Sequence, residues 1–143
     1  MLYLDSNVFI YPVLYSIEAE PKARKAKEIL LSIEKGEFPA YTSTLTWDEV
    51  VWVISKTMGR SEGISQGQKL LGFPNLEFIS ADANILSQAQ ALIDKYNLRP
   101  RDSIHIASAI QRKIKTIISD DKDIDQVTEI ERAALSRLCE NLF

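Results

Sequence analysis

Near the end of the chain, TIISDDKDID (residues 116–125) places Asp120, Asp121, Asp123 and Asp125 within six positions. Two carboxylates about 4 Å apart repel by roughly 4 kcal/mol at an effective dielectric of ~20, so water, hydrogen bonds or a cation must offset the crowding. An EF-hand calcium loop would use the D-x-D-x-D spacing of Asp121, Asp123 and Asp125. It also requires Gly and Glu where this chain has Gln126 and Arg132, which excludes it. Three further acids stand where the pattern changes from one element to the next. Asp5 follows the apolar LYL, Glu49 lies early in TLTWDEVVWVI, and Asp102 opens DSIHIASAI. Carboxylates gathered from separate elements suit hard divalent cations such as Mg²⁺ or Mn²⁺. With one histidine, His105, and one cysteine, Cys139, the chain lacks the ligands of a structural zinc site and has no internal disulfide.

Each acid also has an ordinary structural use. Asp5 and Asp102 could cap the turns that follow them, and the remaining acids of the run could fan into water. Glu49 is harder to place at a surface, because Val50, Val51, Trp52, Val53 and Ile54 follow it and imply protein around most of that helix. Cys139 reads as a small buried hydrophobe. His105, one helical turn after Asp102, reads as a residue packed behind the acids rather than a ligand.

The elements that must position these residues alternate short strands with helices, the order that gives a parallel sheet covered on both faces. Strands are expected at Leu2–Leu4, Ala40–Ser43, Leu76–Ile79 and Thr116–Ile118. A helical or turn-like stretch from Val8 is interrupted by Pro12. PKARKAKEILLSIEKG has Pro21 at its start, Gly36 as its stop, and Ala23, Ala26, Ile29, Leu30 and Ile33 on one face. A further helix ends at Gly59, and a short one is expected over residues 61–71 in a glycine-rich, loosely tethered segment that could form a mobile lip or a partner surface. Ser80 or Asp82 can cap a helix with its stripe at Ile85, Leu86, Ala89, Leu92, Ile93 and Tyr96, and RPRDSIHIASAIQRK gives another. ERAALSRLCENLF reads as a helical tail. On this map Asp5 and Asp121 fall at the C-terminal ends of strands, the edge where open parallel sheets bind ligands.

The 143 residues, 45% hydrophobic and 26% charged, suit one globular domain spanning 1–143. No apolar run is long enough for a membrane span and Asp5 interrupts any signal-peptide pattern, so a cytoplasmic protein is expected. A net charge of −3 argues against nucleic-acid binding by overall charge, leaving local basic patches or bound cations to serve that purpose.

LYLDSNVFI, TSTLTWDEVVWVI, LRPRDSIHIASAI and TIISDDKDID, in that order, resemble the PIN-domain ribonucleases, and the chain looks like a VapC-type toxin in size and motif order. The resemblance implies a three-layer α/β/α sandwich around a parallel sheet of four or five strands. It implies that Asp5, Glu49, Asp102 and Asp121 are the catalytic acids, with Asn7 and Ser119 in support and Asp123 a further ligand, direct or through water. Asp120 and Asp125 are then surplus and expected in solvent. The helical-looking tail departs from the fifth edge strand common in that family.

For such a site the chemistry is metal-assisted phosphodiester hydrolysis with one or two Mg²⁺ or Mn²⁺ ions. Asp5, Asp102 and Asp121 are the expected ligands, and Glu49 is expected to position or deprotonate the water. The resemblance also implies an RNA substrate, cut to leave a 5′-phosphate and a 3′-hydroxyl, a small antitoxin partner, and a homodimer. Arg99 and Arg101 adjoin Asp102 and could meet phosphates, whereas the basic runs on residues 22–27 and 112–115 read as solvated helix faces. Two rivals stand beside this reading. An aspartyl-nucleophile phosphatase would need an acid where Asn7 stands, and a catalytically inactive PIN module would bind RNA or a protein without cutting.

Overall fold

The computed structural model describes residues 1–135. Its strands are β1 (Leu2–Leu4), β2 (Ala40–Ser43), β3 (Leu76–Ile79), β4 (Thr116–Ile118) and β5 (Glu131–Ala133), in the order β3-β2-β1-β4-β5. Every neighbouring pair is parallel. The helices are α1 (Asn7–Leu14), α2 (Pro21–Glu34), α3 (Leu45–Met58), α4 (Arg60–Leu71), α5 (Ala83–Lys95) and α6 (Pro100–Gln111).

Side-chain alternation along the central strands divides the core between the two sheet faces. Leu2, Leu4 and Ile118 pack with Val8, Ile29, Ile33, Ile54 and Leu70 from α1 to α4. Tyr3 and Ile117 turn to the other face, against Ile106 and Ala109 of α6. The expected three-layer sandwich is thus the observed one, and the face foreseen for α2 is buried as Ala23, Ala26, Ile29, Leu30 and Ile33. The chain leaves β1 first toward β2 and later returns beside it as β4. The C-terminal crevice between β1 and β4 is therefore the switch point at which such sheets bind ligands.

Three expectations are corrected. The tail begins as strand: Glu131 N–H donates to Lys115 O at 2.7 Å, and Ser119 N–H donates to Ala133 O at 3.2 Å. Pairing with β4 overrides the helix propensity of ERAAL. Residues 136–143, including Cys139, lie outside the described residues. The short helix expected over residues 61–71 is α4 (Arg60–Leu71), but it is packed against α3 rather than loosely tethered. A Cβ on Gly63 would lie 1.8 Å from Ser55 Oγ, and one on Gly67 would lie 2.7 Å from Val51 Cγ2, so these glycines let α4 approach α3. Finally, α3 is less enclosed than expected, since Trp52 is 58% exposed.

Candidate active site

The ends of β1 and β4 deliver the first two acids. Asp5 N–H donates to Ile118 O at 3.0 Å, which fixes Asp5 at the mouth of the β1/β4 crevice. The residue is 5% exposed. Oδ1 accepts from Ser6 N–H at 2.7 Å, and Oδ2 accepts from the Ser119 hydroxyl at 2.6 Å. Ser119 Oγ also accepts from Asp121 N–H at 3.1 Å, so one side chain ties both strand ends together. Asp121 caps a 3₁₀ turn (Lys122–Gln126), its Oδ1 accepting from Asp123 N–H at 3.0 Å.

Two helices bring the others. Glu49, in the first turns of α3, places Oε1 2.6 Å from Nε2 of His105. That nitrogen is also 3.5 Å from Asp5 Oδ1, and one donor atom from each of Asp5, Glu49 and His105 lies within 4.8 Å of the others. Asp102 does not cap its helix: Arg99 is the N-cap and Pro100 the first residue of α6. The Asp102 carboxylate turns instead toward Asp121, and its Oδ2 is buried with no protein donor. Asn7 Oδ1, at the start of α1, is buried and donorless as well.

Repulsion among these carboxylates is visible in their protonation. Burial, followed by the neighbouring Asp121 and Asp5, pushes Asp102 up to about 8. Burial also acts to raise Asp121, but Asp102, the Asp123 N–H, Arg99 and Arg132 outweigh it and hold Asp121 below the usual carboxylate range. The Asp102–Asp121 pair therefore favours sharing one proton near neutral pH. His105 is raised, because Asp5, Glu49 and Asp102 outweigh the opposing effect of its complete burial.

Arg99, Pro100 and Arg101 line an open cleft of about 440 Å³ with Glu49 and Asp102. The remaining acids of the run have other uses. Asp123 is exposed and its backbone, rather than its carboxylate, reaches Asp121. Asp120 is not solvated as expected: its Oδ1 accepts from Leu135 N–H at 3.0 Å, and Lys22 approaches its Oδ2 to 3.4 Å. Asp125 accepts both ends of the Arg132 guanidinium, at 2.8 and 3.0 Å, while Arg132 also donates to Ser119 O. These contacts brace the loop that carries Asp121. The basic runs are likewise engaged locally, Lys25 with Glu28 and Arg112 with Glu77.

The link from Tyr3 to His105, 2.6 Å from hydroxyl to Nδ1, was not foreseen from the sequence. Alternation in LYL sends Tyr3 to the α6 face while Asp5 leaves the sheet beyond it. That pattern, with the lone histidine one turn after Asp102, was the available signal.

The sequence matches the PIN domain family over residues 2–130. No curated protein sequence matches it significantly. Among solved structures, the fold is similar to a VapBC2 complex from Rickettsia felis bound to a promoter DNA fragment, at TM-score 0.70 and 16% identity over 94% of this chain and 98% of that one. It is also similar to VapC20 of Mycobacterium tuberculosis, described as a Sarcin-Ricin loop cleaving toxin, at TM-score 0.69 and 12% identity over 88% and 94%. A toxin-antitoxin complex from Klebsiella pneumoniae gives TM-score 0.65 and 20% identity over 92% and 96%. With a family match across nearly the whole described chain, and acids at the crevice where this sheet topology binds ligands, the protein belongs to the PIN domain family.

Proposed function

We propose that this protein is a divalent-metal-dependent endoribonuclease and the toxin of a VapBC-type toxin–antitoxin pair. The observation that carries the reading is the convergence of Asp5, Glu49, Asp102 and Asp121 on one crevice, with Asp102 Oδ2 buried and lacking a protein donor. A cation fits that arrangement: the acids supply oxygen ligands, and a positive charge would offset the burial and the neighbouring carboxylates that together raise Asp102. Asp5, Asp102 and Asp121 would hold one or two Mg²⁺ or Mn²⁺ ions, joined by Glu49 and, through water, by the exposed Asp123. A bound ion of this kind supplies water activation and charge neutralisation for in-line displacement at a phosphate.

The chain's own residues do the rest. Ser119, Ser6 N–H and the Asp123 N–H fix the Asp5 and Asp121 carboxylates, so that little reorganisation accompanies the reaction. Glu49 orients the attacking water and accepts its proton. Arg99 and Arg101, on the rim beside Asp102, bind phosphates of the RNA and offset the acidic charge of the chain. The solved relatives that are toxin-antitoxin and VapBC2 complexes support an antitoxin partner, and a groove of about 680 Å³ that mixes Phe9, Leu30 and Phe73 with Lys27, Glu34 and Lys69 offers such a protein a seat. A homodimer and a cytoplasmic location belong to the same reading. Among the described residues no helix is long and apolar enough to cross a membrane.

The test is incubation of a mixed RNA pool, transfer and ribosomal RNA included, with purified protein and Mn²⁺, Mg²⁺ or EDTA, followed by mapping of the new ends. Metal-dependent cuts bearing 5′-phosphates are expected. A folded protein that binds RNA but leaves it intact under every metal would favour the inactive binding module.

A further inference from the structure

Two fully buried polar side chains have no part in the reaction as written above. Tyr3 is 0% and His105 1% exposed. Tyr3 packs among Ile117 of β4 and Ile106 and Ala109 of α6, and His105 is a buried residue of α6, positions where apolar side chains of similar volume would need no polar partners. The Tyr3 hydroxyl lies 2.6 Å from His105 Nδ1, and His105 Nε2 lies 2.6 Å from Glu49 Oε1. A continuous line of hydrogen bonds thus runs from the core to the cleft.

The direction of its last bond follows from chemistry. An ionised carboxylate can only accept, so Nε2–H donates to Glu49, in the neutral ring protonated at Nε2 and in the imidazolium alike. Tyr3 holds the opposite ring nitrogen, and its own ring packs edge-on against the imidazole with centroids 5.7 Å apart. The imidazole is therefore fixed at both ends. Glu49 needs such an anchor, because its side chain, 13% exposed, stands at the wall of the open cleft and is held there by the bond to His105. A carboxylate there with no donor would sample rotamers that leave the cleft.

We propose that Tyr3 and His105 are positioning residues that clamp Glu49 by Oε1 and commit its Oε2 to the reacting water or cation. Outer partners of this kind orient the groups that touch the reaction and are worth roughly 10–100-fold in activity when lost. The inference rests on the nuclease reading, and it adds that Glu49 acts through one defined oxygen.

The test uses the intact chain and exploits its single histidine, whose ring nitrogens give one unambiguous set of NMR signals. In metal-free protein, the Nε2–H resonance should be protected in wild type and should shift or vanish in Glu49→Gln and in Tyr3→Phe. Tyr3→Phe leaves His105 Nδ1 without its partner and should melt somewhat lower yet stay folded at the assay temperature, and in RNA cleavage it should lose about 10-fold in kcat, with KM unchanged within about twofold. His105→Gln, which keeps a donor, should retain more activity than His105→Leu. Wild-type kcat in Tyr3→Phe together with an unaltered Nε2–H signal would overturn the proposal. If wild type cuts no RNA, the nuclease reading fails, and an Nε2–H signal indifferent to Glu49→Gln then removes the clamp independently.

Discussion

At the scale of single residues, Ser119 and Asp102 carry opposite lessons. Ser119 reads as a minor companion of Asp121 in the sequence, yet its hydroxyl donates to Asp5 and accepts from Asp121 N–H, joining two strands through one oxygen. Ser119→Ala leaves Asp5 Oδ2 without that donor, at a cost of about 1–3 kcal/mol in stability. RNA cleavage should fall by roughly tenfold or more, measured as kcat on a defined substrate beside a denaturant melt. Asp102 reads equally well as a helix cap or a ligand. Pro100 removes the cap role, because it starts the helix two residues earlier and leaves the Asp102 carboxylate free to face Asp121. Its pKa of about 8 lies above its ordinary value of 3.8. In the metal-free protein, this group's contribution to stability is therefore fully present below about pH 4 and is lost as pH rises through about 8. A cation needs the ionised form and competes with that proton, so Mn²⁺ should bind more tightly at pH 8 than at pH 6, by up to about tenfold per pH unit. Calorimetric titration at the two values checks this, and an affinity independent of pH would contradict it.

At the scale of elements, the strands and the long helices were legible because their signals are local: short apolar runs, Pro21 and Gly36 at the ends of α2, and one buried stripe. The acids at the strand ends followed from those boundaries. What escaped depends on partners distant in sequence. Glu131–Ala133 carries helix-favouring residues and becomes a strand only because β4 offers an unpaired edge and Arg132 can anchor to Asp125 and Ser119 O. The glycines of α4 suggest looseness in isolation, whereas against α3 they create close contact. Gly67→Ala would press a methyl group on Val51 and beside Trp47, and should destabilise the fold by about 1–3 kcal/mol, read as a lowered urea midpoint with an unchanged slope. The tyrosine–histidine line was invisible for the same reason, since it joins β1 to α6 across 102 positions of sequence.

At the scale of the whole molecule, the proposed function asks an acidic chain of net charge −3 to bind a polyanion. The resolution the proposal offers is local: cations that the acids would hold, with Arg99 and Arg101 on the rim of the same cleft. RNA affinity should then weaken steeply with salt, and removing either arginine should reduce the slope of log affinity against log salt by about 0.7. The binding measurements can be made in an Asp5→Asn background, where no cutting intervenes. The central claim is that the crevice between β1 and β4 holds the metal that cuts RNA, and the most direct measurement compares wild type with Asp5→Asn on one RNA pool in Mn²⁺. Both proteins should fold, and the account predicts defined cuts by wild type that EDTA abolishes and a loss of at least about 100-fold in rate for the variant. Equal cleavage by the two proteins, or cleavage that persists in EDTA, would contradict it.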